Sequence, residues 1–262
     1  MTLVKGIDIS SIQGNVDFKS VKDAGYEFVI IRCAVGNNGS DSLYAKNVAA
    51  ATAAGLKVGC YNFVFPLPNN TANSTRDPKV QAAMHYKAAG DMKVVFCDLE
   101  WPPPQDWSKW SCSAPQIVEW SLTYLKEYER LSGVRPIIYI YPNFAQNIKL
   151  PQSVGQDYKL WIASYTNQPV IPSPWTDWVV WQNTGGTEKL PNGVPVDTNF
   201  AKDLSLWDEP APVLVADDPT PDVPTFTNTE STHDVPVASS PMPAAPTSII
   251  NTIIQSLSNL FK

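Results

Sequence analysis

The stretch Val94-Val95-Phe96-Cys97-Asp98-Leu99-Glu100-Trp101, followed by Pro102-Pro103-Pro104, decides how the chain is read. Four apolar residues that run into an Asp-x-Glu pair and are stopped by prolines describe a buried strand with two carboxylates at its end. Strand side chains alternate faces, so Asp98 and Glu100 point the same way, roughly 6.5–7 Å apart along the backbone at about 3.3 Å per residue. Two carboxyls on one face resist being ionised together. One stays protonated as an acid while the other works as an anion, and cleavage of a glycosidic bond needs that pairing.

Similar short apolar runs recur on both sides of this one. They predict strands over residues 4–9, 28–34, 57–63, 93–99, 135–140, 159–164, 178–182 and 194–197. Helical patterns over 41–54, 77–89 and 115–131 alternate with them, which is the signature of parallel strands joined by crossover helices. Ser113 or Ala114 before Pro115, and Gly133 past the end, give the third helix its start and stop. Eight strands suggest closure, and the helical signal fades after Leu150. The fold class expected is therefore α/β, a modified TIM-like barrel with eight strands and about five helices over residues 1–206.

Asp8, Asp98 with Glu100, and Asp197 fall at the carboxyl ends of predicted strands, with Tyr61, Tyr139 and Gln182 near strand ends. That rim of such barrels is where loops build active sites. Taken singly, Asp8 and Asp197 have plainer readings as turn or capping residues, and Arg32 reads equally well as a barrel-wall ion pair. Trp101, Trp107 and Trp110 beside the acids read either as rings that stack on sugar faces or as packing for a long loop.

Composition excludes much else. The chain has 262 residues, 44% hydrophobic, enough for one large packed domain. His85 and His233 are the only histidines, which leaves almost no material for Ser-His-Asp catalysis or a multi-histidine metal site. Cys33, Cys60, Cys97 and Cys112 lack CxxC spacing, and three lie in apolar runs, so they read as reduced packing residues. No metal and no cofactor is expected. Residues 1–206 hold 18 basic and 18 acidic side chains, while 207–262 hold one lysine against seven acids. A neutral body with an acidic tail argues against nucleic acid as a partner. The first residues lack the basic and apolar regions of a signal peptide, and no stretch nears about 18 apolar residues. The expectation is a soluble product made in the cytoplasm, without a transmembrane segment.

Residues 207–247 contain nine prolines among Asp, Thr, Ser and Ala, the composition of a disordered linker. In 248–262, Ile249, Ile250, Ile253, Ile254, Leu257, Leu260 and Phe261 recur at helical spacing and predict a short C-terminal helix. Its broad apolar face suits a bundle of copies, a homo-oligomer. Envelope association and a disordered or back-docked tail are the alternatives.

Ordered stretches along residues 4–207 together resemble glycoside hydrolase family 25, the Chalaropsis-type lysozymes or N-acetylmuramidases. They are Gly6-Ile7-Asp8-Ile9-Ser10 with Gln13-Gly14, Phe28 to Arg32 with Gly36, Asp41 with Tyr44 and Asn47, and Ala54 to Tyr61. They continue in Asp98-Leu99-Glu100, Ile138-Tyr139, Leu160 to Tyr165, Val180-Trp181-Gln182 and Val196-Asp197. The resemblance implies hydrolysis of the β-1,4 bond between N-acetylmuramic acid and N-acetylglucosamine in peptidoglycan. It implies Glu100 as general acid and Asp98 as the carboxylate that orients and stabilises the 2-acetamido group, a substrate-assisted route. Asp8 and Asp197 would complete the catalytic set, and Tyr61, Tyr139, Gln182, Trp101 and Asp41 would bind substrate. Asn62 departs from the pattern, since many members carry histidine there. Family likeness favours retention, although the backbone spacing also falls in the inverting window. A lysozyme of this kind without a signal peptide fits a bacteriophage endolysin that accumulates in the host cytoplasm. A bacterial autolysin and a non-catalytic wall-binding barrel are the alternatives.

Overall fold

The structure, a computed structural model, describes residues 2–36, 38–66, 77–101 and 112–208. Trp107, Trp110, most of the linker expected over 207–247 and the helix expected over 248–262 lie outside the described residues.

All eight expected strands form. They are β1 (Val4–Ile9), β2 (Phe28–Val35), β3 (Lys57–Phe63), β4 (Val95–Asp98), β5 (Ile137–Ile140), β6 (Leu160–Ala163) and β7 (Val180–Gln182), then a two-residue β8 (Glu188–Lys189) and β9 (Pro195–Ala201). β1 to β7 pair in sequence order, β9 follows β7, and β9 also pairs with β1, which closes the barrel. The first seven strands are parallel, as expected. β9 is not: it runs antiparallel to both β7 and β1. β9 enters through a tight hairpin with β8 at Leu190–Val194, turned by Gly193 at φ 82, and closure of the ring against β7 and β1 fixes its direction. Asp197 therefore reaches the rim from the amino half of its strand, not from the carboxyl end that the parallel reading predicted.

Helices fill the first five crossovers: α1 (Phe18–Asp23), α2 (Tyr44–Ala53), α3 (Pro78–Ala89), α4 (Ala114–Ser132), and the pair α5 (Pro142–Ile148) and α6 (Gln152–Asp157). A short α7 (Ser205–Asp208) follows β9. α3 and α4 carry the end chemistry that the sequence advertises, whereas α2 starts after Leu43 with no side-chain cap. The Asp77 carboxylate accepts from the Lys79 and Val80 amides, Ser113 and Gln116 form a capping box, and Gly133 ends α4 in the left-handed region at φ 67. α6, past the point where the sequence signal fades, buries only Val154. One buried residue leaves no periodicity to read.

Strand alternation divides the core in two. Phe28, Ile30, Val94, Phe96, Ile137, Tyr139, Trp161, Ala163, Val180 and Ala201 fill the barrel interior. Their odd-phase neighbours, such as Val29, Ile31, Val95, Cys97, Leu99, Ile138 and Ile162, face the helices. Gly6 makes room inside, since a Cβ there would overlap the Phe28 ring. α7 plugs the floor with Trp207, whose ring lies 4.8 Å from Phe28. With the floor packed and the carboxyl rim open, polar side chains have one place to gather.

Candidate active site

The strand phase that puts Phe96 inside also puts Asp98 and Glu100 inside. Both line a hollow at the rim together with Asp8, Asp197, Arg32, Tyr61, Tyr139, Trp161 and Gln182. Leu99 and Trp101, in the opposite phase, belong to the core shared with the helices. The register of the sheet then decides who sits beside whom. Asp8 lies directly across from Asp197 on the β1–β9 pair, Asp98 beside Tyr139, Arg32 beside Tyr61, and Gln182 across from Asn199. Side chains in directly opposed antiparallel positions stand about 5 Å apart at Cβ.

A chain of hydrogen bonds fixes one wall. The Tyr139 and Tyr165 hydroxyls donate to Gln182 Oε1 at 2.9 and 2.7 Å, and Gln182 Nε2 donates to Asp8 Oδ2 at 2.8 Å. Asn199 Nδ2 donates to the same oxygen at 2.7 Å, and the Trp161 indole N–H donates to Asn199 Oδ1 at 2.8 Å. Asp8 is thus held by two amides, each oriented by an aromatic residue. Asp98 Oδ1, by contrast, has no hydrogen-bond partner among the described residues although it is buried. A buried carboxylate oxygen without a partner is costly unless something else meets it.

Four carboxyls and one guanidinium line this hollow, and the guanidinium is already engaged. Arg32 binds Asp41 Oδ2 through Nε at 2.9 Å and through its terminal nitrogen at 2.8 Å, and it also reaches the Ser11 hydroxyl. Asp41 further accepts from the Ser11 and Leu43 amides. Proton affinities rise accordingly. Burial pushes Asp8 up to about 6, while the Asn199 and Gln182 amides pull it back. Burial, and then the charge of Asp8, raise Glu100 to about 8. Asp98 and Asp197 lie well above the ordinary carboxylate range, chiefly by burial and then by the neighbouring acids. The Arg32 cation opposes the shift at Asp98, and the Gly186 amide opposes it at Asp197. Asp8, with two amides on one oxygen, is the group best prepared to carry the first negative charge. That charge in turn keeps Glu100 protonated. The cluster titrates as a unit and can offer an acid and an anion at the same pH.

Asp8, Asp98, Glu100 and Asp197 are brought together, and Tyr61, Tyr139 and Gln182 join them. Trp101 and Asp41 stand apart from the lining. The strand phase turns the Trp101 ring outward onto Phe144, edge-on at 5.0 Å. Asp41 sits behind Arg32 with its side chain 1% exposed, the partner that holds the guanidinium rather than a surface for ligand. Deleting one member of such a pair costs about 3–5 kcal/mol. Sequence reasoning missed Trp161, Tyr165 and Asn199. Trp161 and Asn199 carry an inward strand phase that could have marked them, and Tyr165 continues the phase of Trp161 and Ala163 two residues past the end of β6, as Glu100 does past β4.

Comparison with known proteins agrees with this geometry. A family model described as glycosyl hydrolases family 25 matches residues 7–190. The chain is 26% identical over 201 residues to the N,O-diacetylmuramidase of Chalaropsis sp, covering 72% of this chain and 94% of that protein. It is 29% identical over 165 residues to the autolytic lysozyme of Clostridium acetobutylicum, covering 62% of this chain but only 45% of that longer protein. Among solved structures, a family GH25 lysozyme from Aspergillus fumigatus superposes with a TM-score of 0.66 at 25% identity, covering 79% of this chain and 98% of that one.

Proposed function

This chain belongs to glycosyl hydrolases family 25, and from that premise we propose that it is a lysozyme hydrolysing the β-1,4 bond between N-acetylmuramic acid and N-acetylglucosamine in bacterial peptidoglycan. One observation carries the reading: Glu100, held protonated by burial and by Asp8, faces the same hollow as Asp98. Glu100 donates its proton to the glycosidic oxygen as the bond to the leaving sugar breaks. Asp98 faces the positive charge that develops on the other sugar and its 2-acetamido group, and that charge meets its unpartnered Oδ1. Water then adds to the anomeric carbon and returns a proton to Glu100. Asp8 and Asp197 hold the water and the neighbouring carboxyls, while Tyr61, Tyr139 and Gln182 line the path of the glycan.

New reducing ends released from purified walls test this reading. Walls that are bound without release of reducing ends would mark the chain as a non-catalytic barrel. The pH profile tests it more finely, because an acid and an anion are both required. The profile of kcat/KM is expected to be bell-shaped, with an acid limb near 6, where the cluster takes its first charge, and a basic limb near 8, where Glu100 loses its proton. Asn199→Ala removes a hydrogen bond that lowers the proton affinity of Asp8, so it should move the acid limb upward and leave the basic one in place. A flat profile between pH 5 and 9 would contradict the assignment.

The setting we infer is that of a bacteriophage endolysin, made in the infected host's cytoplasm and acting on the wall after release. A neighbouring gene for a small holin-like membrane protein would support it, and residence in a bacterial chromosome without one would point to an autolysin. Residues 248–262, outside the described residues, are proposed to gather copies of the chain through the Ile/Leu face. Sedimentation of the full chain as a trimer or tetramer is the expected result, and a monomer at tens of micromolar would overturn it.

A further inference from the structure

On the far side of the barrel wall from the hollow, three side chains that the proposed hydrolysis does not use meet in the layer between sheet and helices. Cys33 on β2 and Cys60 on β3 face outward from neighbouring strands, and His85 on α3 packs over them. All three are fully buried, and one ligating atom from each lies within 4.8 Å of the other two. His85 Nδ1 is engaged with the Tyr124 hydroxyl at 2.7 Å. His85 Nε2 has no hydrogen-bond partner among the described residues. A buried imidazole nitrogen without a partner, on a ring that groups with two thiols, is an unfilled valence in a packed interior, although the Cys33 thiol itself donates to the Tyr61 carbonyl at 3.2 Å.

We propose that Cys33, Cys60 and His85 supply three of the four ligands of a Zn2+ site, the fourth position being taken by a water that enters with the metal. A tetrahedral zinc centre, with bonds of about 2.0–2.3 Å, separates its ligand atoms by roughly 3.5–3.8 Å. Closing from 4.8 Å or less requires side-chain shifts of under about 1 Å. Charge selects the ion: Zn2+ displaces one proton from each thiol, and two thiolates with a neutral imidazole then leave the site with zero net charge. A monovalent soft cation on the same set would leave a net negative charge in an apolar layer, which is unfavourable. A second rank of groups is already in place. The Tyr124 hydroxyl pairs with Nδ1 at 2.7 Å and so leaves Nε2 as the nitrogen available to a metal, and Asn62 Nδ2 donates to that same hydroxyl and holds it in place. The metal would tie α3 to β2 and β3. Because β3 carries Tyr61 into the hollow from its other face, the site braces the catalytic wall without touching substrate.

A site this deep fills as the chain folds. The full chain should therefore be unfolded and refolded in reducing, oxygen-free buffer with Co2+ or Zn2+. One metal per chain, an intense thiolate-to-cobalt charge-transfer band and release of two protons per metal are expected, with a rise in Tm of roughly 5 °C at saturating Zn2+. His85→Gln and Cys60→Ser should each weaken binding by at least about 100-fold, and Cys97→Ser, a buried thiol outside the cluster, should not. Should those variants fail to fold, X-ray absorption on the zinc-loaded wild-type chain decides alone. A shell with two sulphurs supports the site. An all-oxygen and nitrogen shell, or less than one metal per ten chains after refolding, overturns it.

Discussion

Glu100→Gln is expected to lower kcat for wall hydrolysis by about 10³-fold, the range in which loss of a general acid falls, while wall binding persists. Glutamine fills the same space but cannot give up a proton to the glycosidic oxygen. The same substitution should make the protein more stable, and the sign follows from the direction of the shift. Glu100 is raised from an ordinary 4.5 to about 8 in the folded chain. A group shifted this way contributes stability that is fully present below 4.5 and is lost as pH rises toward 8, because the unfolded chain ionises it first. Wild type should therefore lose stability across that window, by up to a few kcal/mol, and the variant should lose less. The melting temperatures should nearly coincide at pH 4 and differ by roughly 5 °C at pH 8. Calorimetry at the two pH values checks this, and a gap that does not widen with pH would show that Glu100 is not held protonated by the fold.

Asp98→Asn is expected to cost about 10²- to 10³-fold, again mainly in kcat, since its charge is needed where positive charge develops and not in the ground state. Its pH signature differs from that of Glu100. The Glu100 charge raises the proton affinity of Asp98, and such coupling is reciprocal, so losing the Asp98 charge should move the basic limb below 8. Residual turnover of Asp98→Asn, measured from pH 5 to 9, decides the point. Wild-type kcat with altered KM would demote Asp98 to a binding residue, and an unmoved basic limb would mean that Asp98 carries no charge beside Glu100 in the working enzyme. If reducing ends form undiminished in both variants, neither residue has the role given to it.

These two expectations rest on features of unequal visibility. The fold was legible because its signals are local. Buried parallel strands read as continuous apolar runs, and Asp77, Ser113 and Gly133 mark helix ends by side-chain chemistry within a few residues. The short helices α1, α5 and α6 escaped notice because one or two turns give too few buried positions to show a period. Asp8, Asp98 and Glu100 were legible as carboxylates at the carboxyl ends of strands, while Asp197 was read at the wrong end of its strand. That Asp8 is the first of them to take charge was not, since its two amide donors come from positions 174 and 191 residues away.

Sequence alone determined that Asp98 and Glu100 share a face, because a period of two is a property of the extended backbone whatever surrounds it. The same period turned Trp101 away from the hollow, a consequence the aromatic character of the residue obscured. Tertiary structure alone decided that β9 enters reversed, that Asp41 stands behind Arg32, and that His85 meets Cys33 and Cys60 across the barrel wall. Those outcomes depend on ring closure and on how a helix lies over two strands. Contacts between residues tens of positions apart are set by packing of the whole, and no window along the chain contains them.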